Sequence, residues 1–271
     1  MAVDKKVFGY PEYDANGEMI LSTYDNAYRD MLMDVRNYKL QAGDVRTIEK
    51  AGEEVAVLLY NGDITVSWND KEENATRTSV FEEGPYALHV PKGTKITVKA
   101  NAESEILVQA TQNEGDFDAK WYTPADAPWG YSSKGLFGDT ALRRVNTLFD
   151  YNTAPYSNMV LGEVLNDRGN WSGYIPHDHP QPELYYFLFD REEGFGASFV
   201  GDDVFKSTHK SFSAIPGGKV HPQVCAPGYM MYTCWMIRHL DGNPWTDRID
   251  DPRFTWLYDV DIKGNEITPK K

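Results

Sequence analysis

The sequence predicts an all-β protein built from two tandem β barrels, and three features carry this prediction. Short apolar runs recur along the chain, and each break between them contains Gly, Pro or Asn. Aromatic residues make up 13% of the 271 residues, and such side chains pack well on the pleated surface of a sheet. The two halves also share a weak internal repeat, which indicates two copies of one barrel.

In the first half the predicted strands follow one another closely. Val55–Tyr60 is an apolar run, and Ile64–Trp68 alternates apolar and polar residues. Since Asn61-Gly62-Asp63 between them is a tight-turn sequence, these segments together predict a β-hairpin. Asp25–Leu40 is the best helical candidate, although it contains strand-like pieces. Further strands are predicted at Tyr86–Val90, Lys95–Ala100 and Glu105–Ala110.

Residues 111–140 contain many turn formers and no clean period, so they are predicted to connect the two halves. This places an N-terminal barrel at residues 1–140 and a C-terminal barrel at residues 141–271. The repeat aligns Glu54 with Glu183, because each begins an apolar run. It also aligns Pro91, later in the first half, with Pro216 in the second half. In the second half, strands are predicted at Ser157–Leu165, Leu184–Phe189, Phe195–Val200, Ser211–Ile215 and Met230–Ile237.

The charge and composition of the chain restrict its partners. The net charge is −14, and an acidic surface repels phosphate groups, so nucleic acid and anionic membranes are poor candidates. The two cysteines do not resemble a disulfide framework. The N-terminus lacks the apolar core of a signal peptide, and no apolar run is long enough to span a membrane. We therefore expect a cytoplasmic protein that acts on or binds a small molecule.

Four residues of the second half have the pattern of a metal site. His177 and His179 are two residues apart, so on an extended strand they point to the same face. Glu183 follows two prolines that bend the chain, and the glycines before His221 allow a tight turn that aims it back into the barrel. This set suits zinc, manganese, iron or nickel and leaves positions open for substrate. A lone His-x-His pair often occurs by chance, but three of the six histidines fall in this arrangement, which favours a metal site.

This spacing resembles the two motifs of the cupin superfamily, His-x-His-x3/4-Glu and Pro-x-Gly-x2-His. The resemblance implies that both barrels are double-stranded β-helices, or jelly rolls. In the first half, Ile96 stands where the second motif has its histidine, and Ile48 and Lys50 stand at the offsets of the His pair. We therefore expect an N-terminal copy that is structural and holds no metal. The matching residues of the second half are His177, His179, Glu183, Pro216, Gly218 and His221.

Over nearly its full length the chain resembles the 5-deoxy-glucuronate isomerase family of inositol catabolism. The resemblance implies a metal-dependent aldose–ketose isomerase that converts a deoxy-uronate, 5-deoxy-glucuronate, into 5-dehydro-2-deoxy-gluconate. Its implied metal ligands are the four residues of the cupin motifs. The segments that carry the resemblance are Val57–Asp63, Ser79–Glu82, Val90–Thr94, Arg143–Val145, Gly162-Glu163, Trp171–His179, Glu183–Tyr186, Gly194–Gly196, His221-Pro222, Ala226–Tyr229 and Phe254–Leu257.

Such an isomerase needs groups that move a proton and groups that hold the sugar acid. The candidate catalytic residues are Glu183, Tyr185 and Tyr232. The candidate substrate-binding residues are Arg143, Lys219 and Tyr229. Arg143 is chosen because its planar guanidinium fits a carboxylate. For the tyrosines the alternative role is packing in an aromatic core, and for the two cations it is surface charge.

The chain departs from the family on the substrate side. Relatives usually carry polar residues at the position of Phe187 and, near the last strand, around Cys234-Trp235. The residues of this chain therefore make the predicted pocket more apolar. Two alternatives stay open: another metal-dependent cupin enzyme, such as a dioxygenase or lyase, and a sugar-binding cupin without catalysis. Because cupin sheets have long edges that association often covers, we expect a homodimer or a larger assembly.

Overall fold

The computed structural model describes residues 5–270, and within this range the chain is all-β, as predicted. Its helical elements there are three short 3-10 turns, Arg29–Met31, Phe137–Asp139 and Thr255–Asp259. None of the helices in the described range is long and apolar enough to cross a membrane. The strands, in chain order, are β1 Phe8–Gly9, β2 Glu18–Ser22, β3 Asp34–Leu40, β4 Val45–Ile48, β5 Glu53–Trp68, β6 Lys71–Arg77, β7 Ala87–Val90, β8 Ile96–Ala100, β9 Ser104–Gln112, β10 Lys120–Tyr122, β11 Gly130–Ser132, β12 Arg143–Phe149, β13 Met159–Asn166, β14 Trp171–Ser172, β15 His177–Asp178, β16 Glu183–Phe189, β17 Phe195–Val200, β18 Asp203–Thr208, β19 Phe212–Ile215, β20 Gln223–Cys225, β21 Met231–Arg238, β22 Ile249–Asp250, β23 Val260–Lys263 and β24 Glu266–Pro269.

The chain divides into two compact units. The first holds Pro11–Pro128 and Thr147–Val160, and the second holds Val7–Tyr10, Trp129–Asn146 and the chain from Leu161 onward. The second unit therefore includes β1 and resumes at Trp129, upstream of the predicted residue 141. In the first unit, antiparallel strands β10, β7, β5, β9, β3 and β2 lie side by side, and β4 and β6 pair with β8 and β5.

The Asn61-Gly62-Asp63 segment is not a hairpin turn, contrary to the prediction. β5 runs without interruption through it, pairing with β7 and β9 before it and with β6 and β8 after it. The register shifts between Leu59 and Asn61, which marks a bulge where the strand bends from one sheet into the next. Gly62 has φ +112°, and a Cβ there would lie 2.2 Å from Ser104 Oγ. The glycine marks a close backbone approach at a barrel corner rather than a turn.

The predicted helix over Asp25–Leu40 is also wrong. Only Arg29–Met31 forms a 3-10 turn, and it ends at Leu32, whose φ of 56° lies in the left-handed region. The remainder, Asp34–Leu40, is strand β3, which is paired on one side with β2 and on the other with β9. This segment forms a strand because its hydrogen-bonded ladders to β2 and β9 outweigh a weak local preference for helix.

The internal repeat is present in the strand ladders, but one residue out of the predicted alignment. Val90, which precedes Pro91, pairs with Val55, whereas Ile215, which precedes Pro216, pairs with Glu183. The counterpart of Glu183 is therefore Val55 and not Glu54. Since a shift of one residue moves a side chain to the opposite face of a sheet, Val55 belongs to the apolar interior of the first barrel.

Glu54 instead belongs to a buried polar network in the first unit. Its carboxylate accepts hydrogen bonds from Asn113 Nδ2 at 3.1 Å, Ser157 Oγ at 2.9 Å and the backbone N–H of Asn158 at 2.6 Å. His89 Nε2 lies 2.8 Å from the same carboxylate. A buried carboxylate is tolerated only when it is well hydrogen-bonded, and these contacts satisfy that requirement. They assign Glu54 a structural role in joining β5, β7 and the segment around residue 157.

The second unit places one sheet beneath the candidate site. Its strands lie in the order β1, β19, β16, β21, β13, β12 and β11. In the β16–β21 ladder, Glu183 pairs with Ile237 and Tyr185 pairs with Trp235. Because successive side chains point to opposite faces, every second residue of these strands shares one face, and that face carries the site.

We expect Gly62→Ala to destabilise the protein more than Gly43→Ala. Both glycines have a positive φ, but a Cβ at Gly43 would meet nothing within 4 Å, whereas one at Gly62 would also lie 2.6 Å from the Cα of Ser104. The additional clash should lower the free energy of unfolding by about 2 kcal/mol more at Gly62. Urea unfolding of the two variants measures this difference. Equal losses would show that the close approach to Ser104 is not tight.

Candidate metal centre

A buried group of imidazoles and one carboxylate lies at the start of β16. His179 Nε2 is 3.0 Å from Glu183 Oε2, and His221 Nε2 is 3.2 Å from the same oxygen. One ligand atom from each of these three residues lies within 4.8 Å of the other two. His177 adjoins them, with its ring centroid 4.9 Å from that of His221 and the two planes at 79°. We call His177, His179, Glu183 and His221 the His/Glu cluster.

The backbone orients all three imidazoles in the same way. Each Nδ1 faces a carbonyl oxygen, and because a carbonyl only accepts, Nδ1 must carry the hydrogen. The Nε2 lone pair of each neutral ring is then left free, which is the arrangement that second-shell hydrogen bonds impose on metal-binding histidines. These contacts are His177 to Ile175 O at 3.0 Å, His179 to Gln181 O at 3.0 Å and His221 to Lys219 O at 2.7 Å.

This donor set fits a divalent metal. His221 Nε2 is buried and has no hydrogen-bond partner within residues 5–270, although Glu183 Oε2 is close to it. Two acceptors at about 3 Å repel each other unless positive charge lies with them. A proton can supply that charge to the pair of His179 and Glu183. Burial lowers the pKa of His179, but the neighbouring Glu183 carboxylate outweighs burial, so that the pKa of His179 is raised. A metal ion satisfies all the Nε2 atoms and the carboxylate at once, and imidazole with carboxylate suits the transition metals predicted.

The protonation states of the cluster also suit metal binding. Burial, followed by the neighbouring His221, lowers the pKa of His177 to about 3. Burial alone would raise the pKa of Glu183, but the imidazoles of His179 and His221 outweigh it and bring the pKa to about 2. At neutral pH His177 is therefore neutral and Glu183 is ionised. These are the forms in which both residues bind a metal without first losing a proton.

A cavity of 310 Å³ opens beside the cluster, entirely within the second unit. Its volume suits a small sugar acid rather than a polymer. Its lining combines the cluster with arginines, hydroxyl groups and apolar side chains. The lining residues are Ser132, Arg143, Val145, Val164, Ser172, Gly173, His177, His179, Glu183, Tyr185, Gln223, Thr233, Trp235, Ile237, Trp245, Asp247 and Arg248.

Tyr185, a predicted catalytic residue, lies in this lining next to the cluster. Its ring centroid is 5.7 Å from that of His221. Burial, and then the charge of Glu183, raises the pKa of Tyr185 well above its usual value. The phenol therefore keeps its proton at neutral pH, and it can donate a hydrogen bond to an oxygen of a bound molecule but cannot serve as a base.

Arg143, a predicted substrate-binding residue, also reaches the cavity. It is only 6% exposed, and its Nη1 donates to Ser133 Oγ at 3.1 Å and to Ala141 O at 3.0 Å. No carboxylate of the described residues forms an ion pair with it. Burial, and then the second cavity arginine, Arg248, lowers its pKa to about 10. A carboxylate that entered the cavity would relieve both the desolvation of Arg143 and its repulsion by Arg248.

Three further predicted residues lie away from the cavity lining. Tyr232 donates to Glu163 Oε1 at 2.7 Å, and it points to the opposite face from Trp235 because strand side chains alternate. Lys219 is exposed, and its side chain runs beside Gly201. Tyr229 is half-buried, with its ring 6.1 Å from that of Phe195. The structure therefore does not bring Tyr232, Lys219 or Tyr229 together with the His/Glu cluster.

A loop that no sequence motif indicated contributes three lining residues, Trp245, Asp247 and Arg248. Two contacts hold this loop in place: Gln181 Nε2 donates to Asn243 O at 2.7 Å, and Trp245 N–H donates to His239 Nδ1 at 2.9 Å. After the loop, Asp250 pairs with His177 in the β15–β22 ladder. In the sequence, residues 241–250 resemble an ordinary polar turn. Their position beside the cavity depends on the pairing with β15, which the sequence does not show.

The described residues have a cupin fold, with the buried His/Glu cluster at the start of β16. The structure resembles an IolB-like protein from Salmonella typhimurium LT2, with a TM-score of 0.84 at 19% identity over 93% of this chain and 99% of that one. It also resembles a variant of oxalate decarboxylase from Bacillus subtilis, with a TM-score of 0.67 at 11% identity over 100% of this chain and 90% of that one. At these identities the likeness shows the fold alone, and it confirms the predicted cupin architecture.

Within the cupins, this chain belongs to the KduI/IolB family, whose model matches residues 9–257. It is similar to the 5-deoxy-glucuronate isomerase of Geobacillus thermodenitrificans, with 26% identity over 84% of this chain and 87% of the relative. It is also similar to the 5-deoxy-glucuronate isomerase of Bacillus subtilis strain 168, with 25% identity over 71% of this chain and 76% of the relative. The family match confirms the predicted family, and both relatives carry the name of the predicted isomerase.

We expect His221→Ala to lower the affinity for manganese and zinc at least about a hundredfold, because it removes a nitrogen next to the carboxylate. His209→Ala is the matched control, since His209 is half-buried in the same unit but absent from the cavity lining. Elemental analysis after dialysis against buffered metal measures the difference, and thermal unfolding checks that both variants are folded. Equal metal content in His221→Ala and the wild type would contradict a metal at this position.

Proposed function

We propose that the protein is a metal-dependent aldose–ketose isomerase that converts 5-deoxy-glucuronate into 5-dehydro-2-deoxy-gluconate in inositol catabolism. The observation that carries the proposal is the coexistence, in one cavity, of the oriented His/Glu cluster and a buried arginine that has no carboxylate partner among the described residues. The first suits a carbonyl with its neighbouring hydroxyl, and the second suits a carboxylate. The relatives named for this reaction support the same assignment.

The reaction moves one proton from C2 to C1 and one from the C2 hydroxyl to the C1 oxygen, with no net oxidation. A divalent metal held by His177, His179, Glu183 and His221 would polarise the two oxygens and stabilise negative charge on them. Tyr185 remains protonated and would donate a hydrogen bond to one of these oxygens. Asp247 is the carboxylate of the lining outside the cluster, which makes it our candidate for carrying the proton between the two carbons.

The far end of the sugar would be held by Arg143 and Arg248. Arg248 is itself paired with Asp250 at 3.0 Å, so it retains donors for a ligand but is the less available of the two. Arg143 has no such partner among the described residues, and it offers a charge-assisted hydrogen bond from a buried position. This arrangement distinguishes a uronate from a neutral sugar.

The two alternative functions left open by the sequence, a dioxygenase or lyase and a sugar-binding protein, predict different experimental results. A dioxygenase would consume oxygen, whereas isomerisation requires none, and the likeness to oxalate decarboxylase is confined to the fold. A sugar-binding protein without catalysis would not need the His/Glu cluster, so its ligand affinity should survive His177→Ala. We further propose that the protein is cytoplasmic, where its two buried free cysteines stay reduced, and that it assembles as a homodimer or larger through its strand edges.

The direct test is an assay of the protein after reconstitution with each of manganese, zinc, iron and nickel, with metal content measured on the same samples. We expect ketose formation from 5-deoxy-glucuronate, without oxygen uptake, for at least one metal. Loss of activity on chelation and its recovery on adding the metal back would support metal dependence. A fully loaded protein that leaves 5-deoxy-glucuronate unchanged would overturn the proposal.

Arg143→Met should lower kcat/KM for 5-deoxy-glucuronate about 10- to 100-fold, the effect of losing one charge-assisted hydrogen bond. It should leave the rate on the neutral 5-deoxy-glucose almost unchanged, because that sugar has no carboxylate. Arg144→Met is the matched control, since Arg144 is the next residue of β12, is absent from the lining and faces Asp167 at 3.9 Å. Equal losses on the acid and the neutral sugar would contradict a carboxylate site at Arg143.

A further inference from the structure

The indole of Trp235 lies across a glycine of the neighbouring strand. Trp235 is on β21, and Gly162 is on β13, which adjoins β21 in the sheet. A Cβ on Gly162 would lie 2.4 Å from both Cε2 and Nε1 of Trp235, a separation that no real side chain tolerates. Only glycine therefore allows the indole to occupy this position. The edge that bears Nε1 faces Gly162, so the part of the ring that lines the cavity is carbon.

This indole stands between the two ends of the proposed substrate site. Glu183 is on β16 and Arg143 is on β12, and the strand order from one to the other is β16, β21, β13 and β12. Three inter-strand spacings of about 4.8 Å separate the two backbones by about 14 Å. Trp235 and Gly162 occupy the two strands between them. A molecule that reaches from the His/Glu cluster to the Arg143 guanidinium therefore passes the side of the cavity to which Trp235 contributes.

Apolar side chains share the cavity with the indole, although Tyr185 pairs with Trp235 across the strands and also lines the cavity. Val145, Val164 and Ile237 line the same cavity. The ring of Trp245 meets that of Trp235 edge-on, with centroids 5.7 Å apart and planes at 64°. A methylene group loses nothing on contact with these apolar side chains, whereas a hydroxyl group that points at them loses its hydrogen bonds to water. We call Trp235, Val145, Val164 and Ile237 the apolar wall.

We propose, building on the isomerase function above, that Trp235 seated on Gly162 selects substrates whose carbon next to the carboxylate is a methylene. With the carboxylate at Arg143 and C1 and C2 at the His/Glu cluster, this carbon is C5, and it lies against the apolar wall. In 5-deoxy-glucuronate C5 carries no hydroxyl, but in glucuronate it does. An apolar pocket discriminates against one added hydroxyl about a hundredfold, and the indole supplies that discrimination.

The test compares kcat/KM for 5-deoxy-glucuronate and for glucuronate in the wild type and three variants. The wild type should prefer the deoxy sugar about a hundredfold. Trp235→Phe should keep most of this ratio, because it leaves an apolar ring. Trp235→Asn should reduce the ratio to about tenfold or less, because it supplies a partner for the hydroxyl. Trp256→Asn should leave the ratio unchanged, since Trp256 is 49% exposed and absent from the lining.

Gly162→Ala provides an independent variant that leaves Trp235 in place but displaces its ring. It should lower kcat/KM for the deoxy sugar and reduce the ratio, while thermal unfolding shows whether the protein remains folded. A ratio in Trp235→Asn and Gly162→Ala equal to that of the wild type would overturn the inference. So would a wild type that handles both sugars equally.

A binding measurement separates this inference from the isomerase function. Calorimetric titration gives the dissociation constants of both sugar acids for wild-type and variant protein, whether or not turnover occurs. If the wild type isomerises neither sugar, the proposed function fails, and the ratio of dissociation constants still decides whether the apolar wall selects the methylene. The inference would be wrong if the wild type bound the two sugar acids with equal dissociation constants. It would also be wrong if Trp235→Asn left the ratio of the two dissociation constants unchanged.

Discussion

The site depends on three hydrogen bonds from imidazole Nδ1 atoms to backbone carbonyls. His177 and His179 bind carbonyls two residues away in either direction, and His221 binds the carbonyl two residues before it. Each bond lies within its own segment, so the chain trace itself sets the ring orientation and the tautomer. The imidazoles of His179 and His221 lower the pKa of Glu183 against the effect of burial, and burial keeps His177 neutral by lowering its pKa. The proposed metal binding and the proposed substrate orientation both depend on that local arrangement.

The alternation of side chains along each strand then sorts residues between the site and the opposite face. Tyr185 lines the cavity, whereas Tyr232, which looks equally suitable in the sequence, donates to Glu163 on the other face. Arg143 and Arg144 are separated in the same way. Spacing in the sequence was therefore enough to find the His/Glu cluster and the all-β architecture, because motif and period act locally. Choosing among individual tyrosines and cations required the register.

The errors made from the sequence share a physical cause. Asn61-Gly62-Asp63 has the composition of a turn, but its glycine serves a close approach to Ser104, which is distant in sequence. Asp34–Leu40 becomes a strand because β2 and β9 flank it. Arg248 and Trp245 reach the cavity only because their loop is held against Gln181 and His239. In each case a partner far along the chain decides the outcome, and no local pattern records that partner.

The register of the repeat has a consequence for redesign. In the first barrel, the position that matches Glu183 holds Val55, and Ile96 stands five residues after Pro91, as His221 does after Pro216. Both side chains point into a hydrocarbon interior, while the nearby Glu54 and His89 form a buried pair that could be mistaken for half of a lost centre. Grafting a metal site into the first barrel would therefore begin at Val55 and Ile96. Replacing Glu54 would instead remove the centre of a buried hydrogen-bond network that stabilises the first barrel.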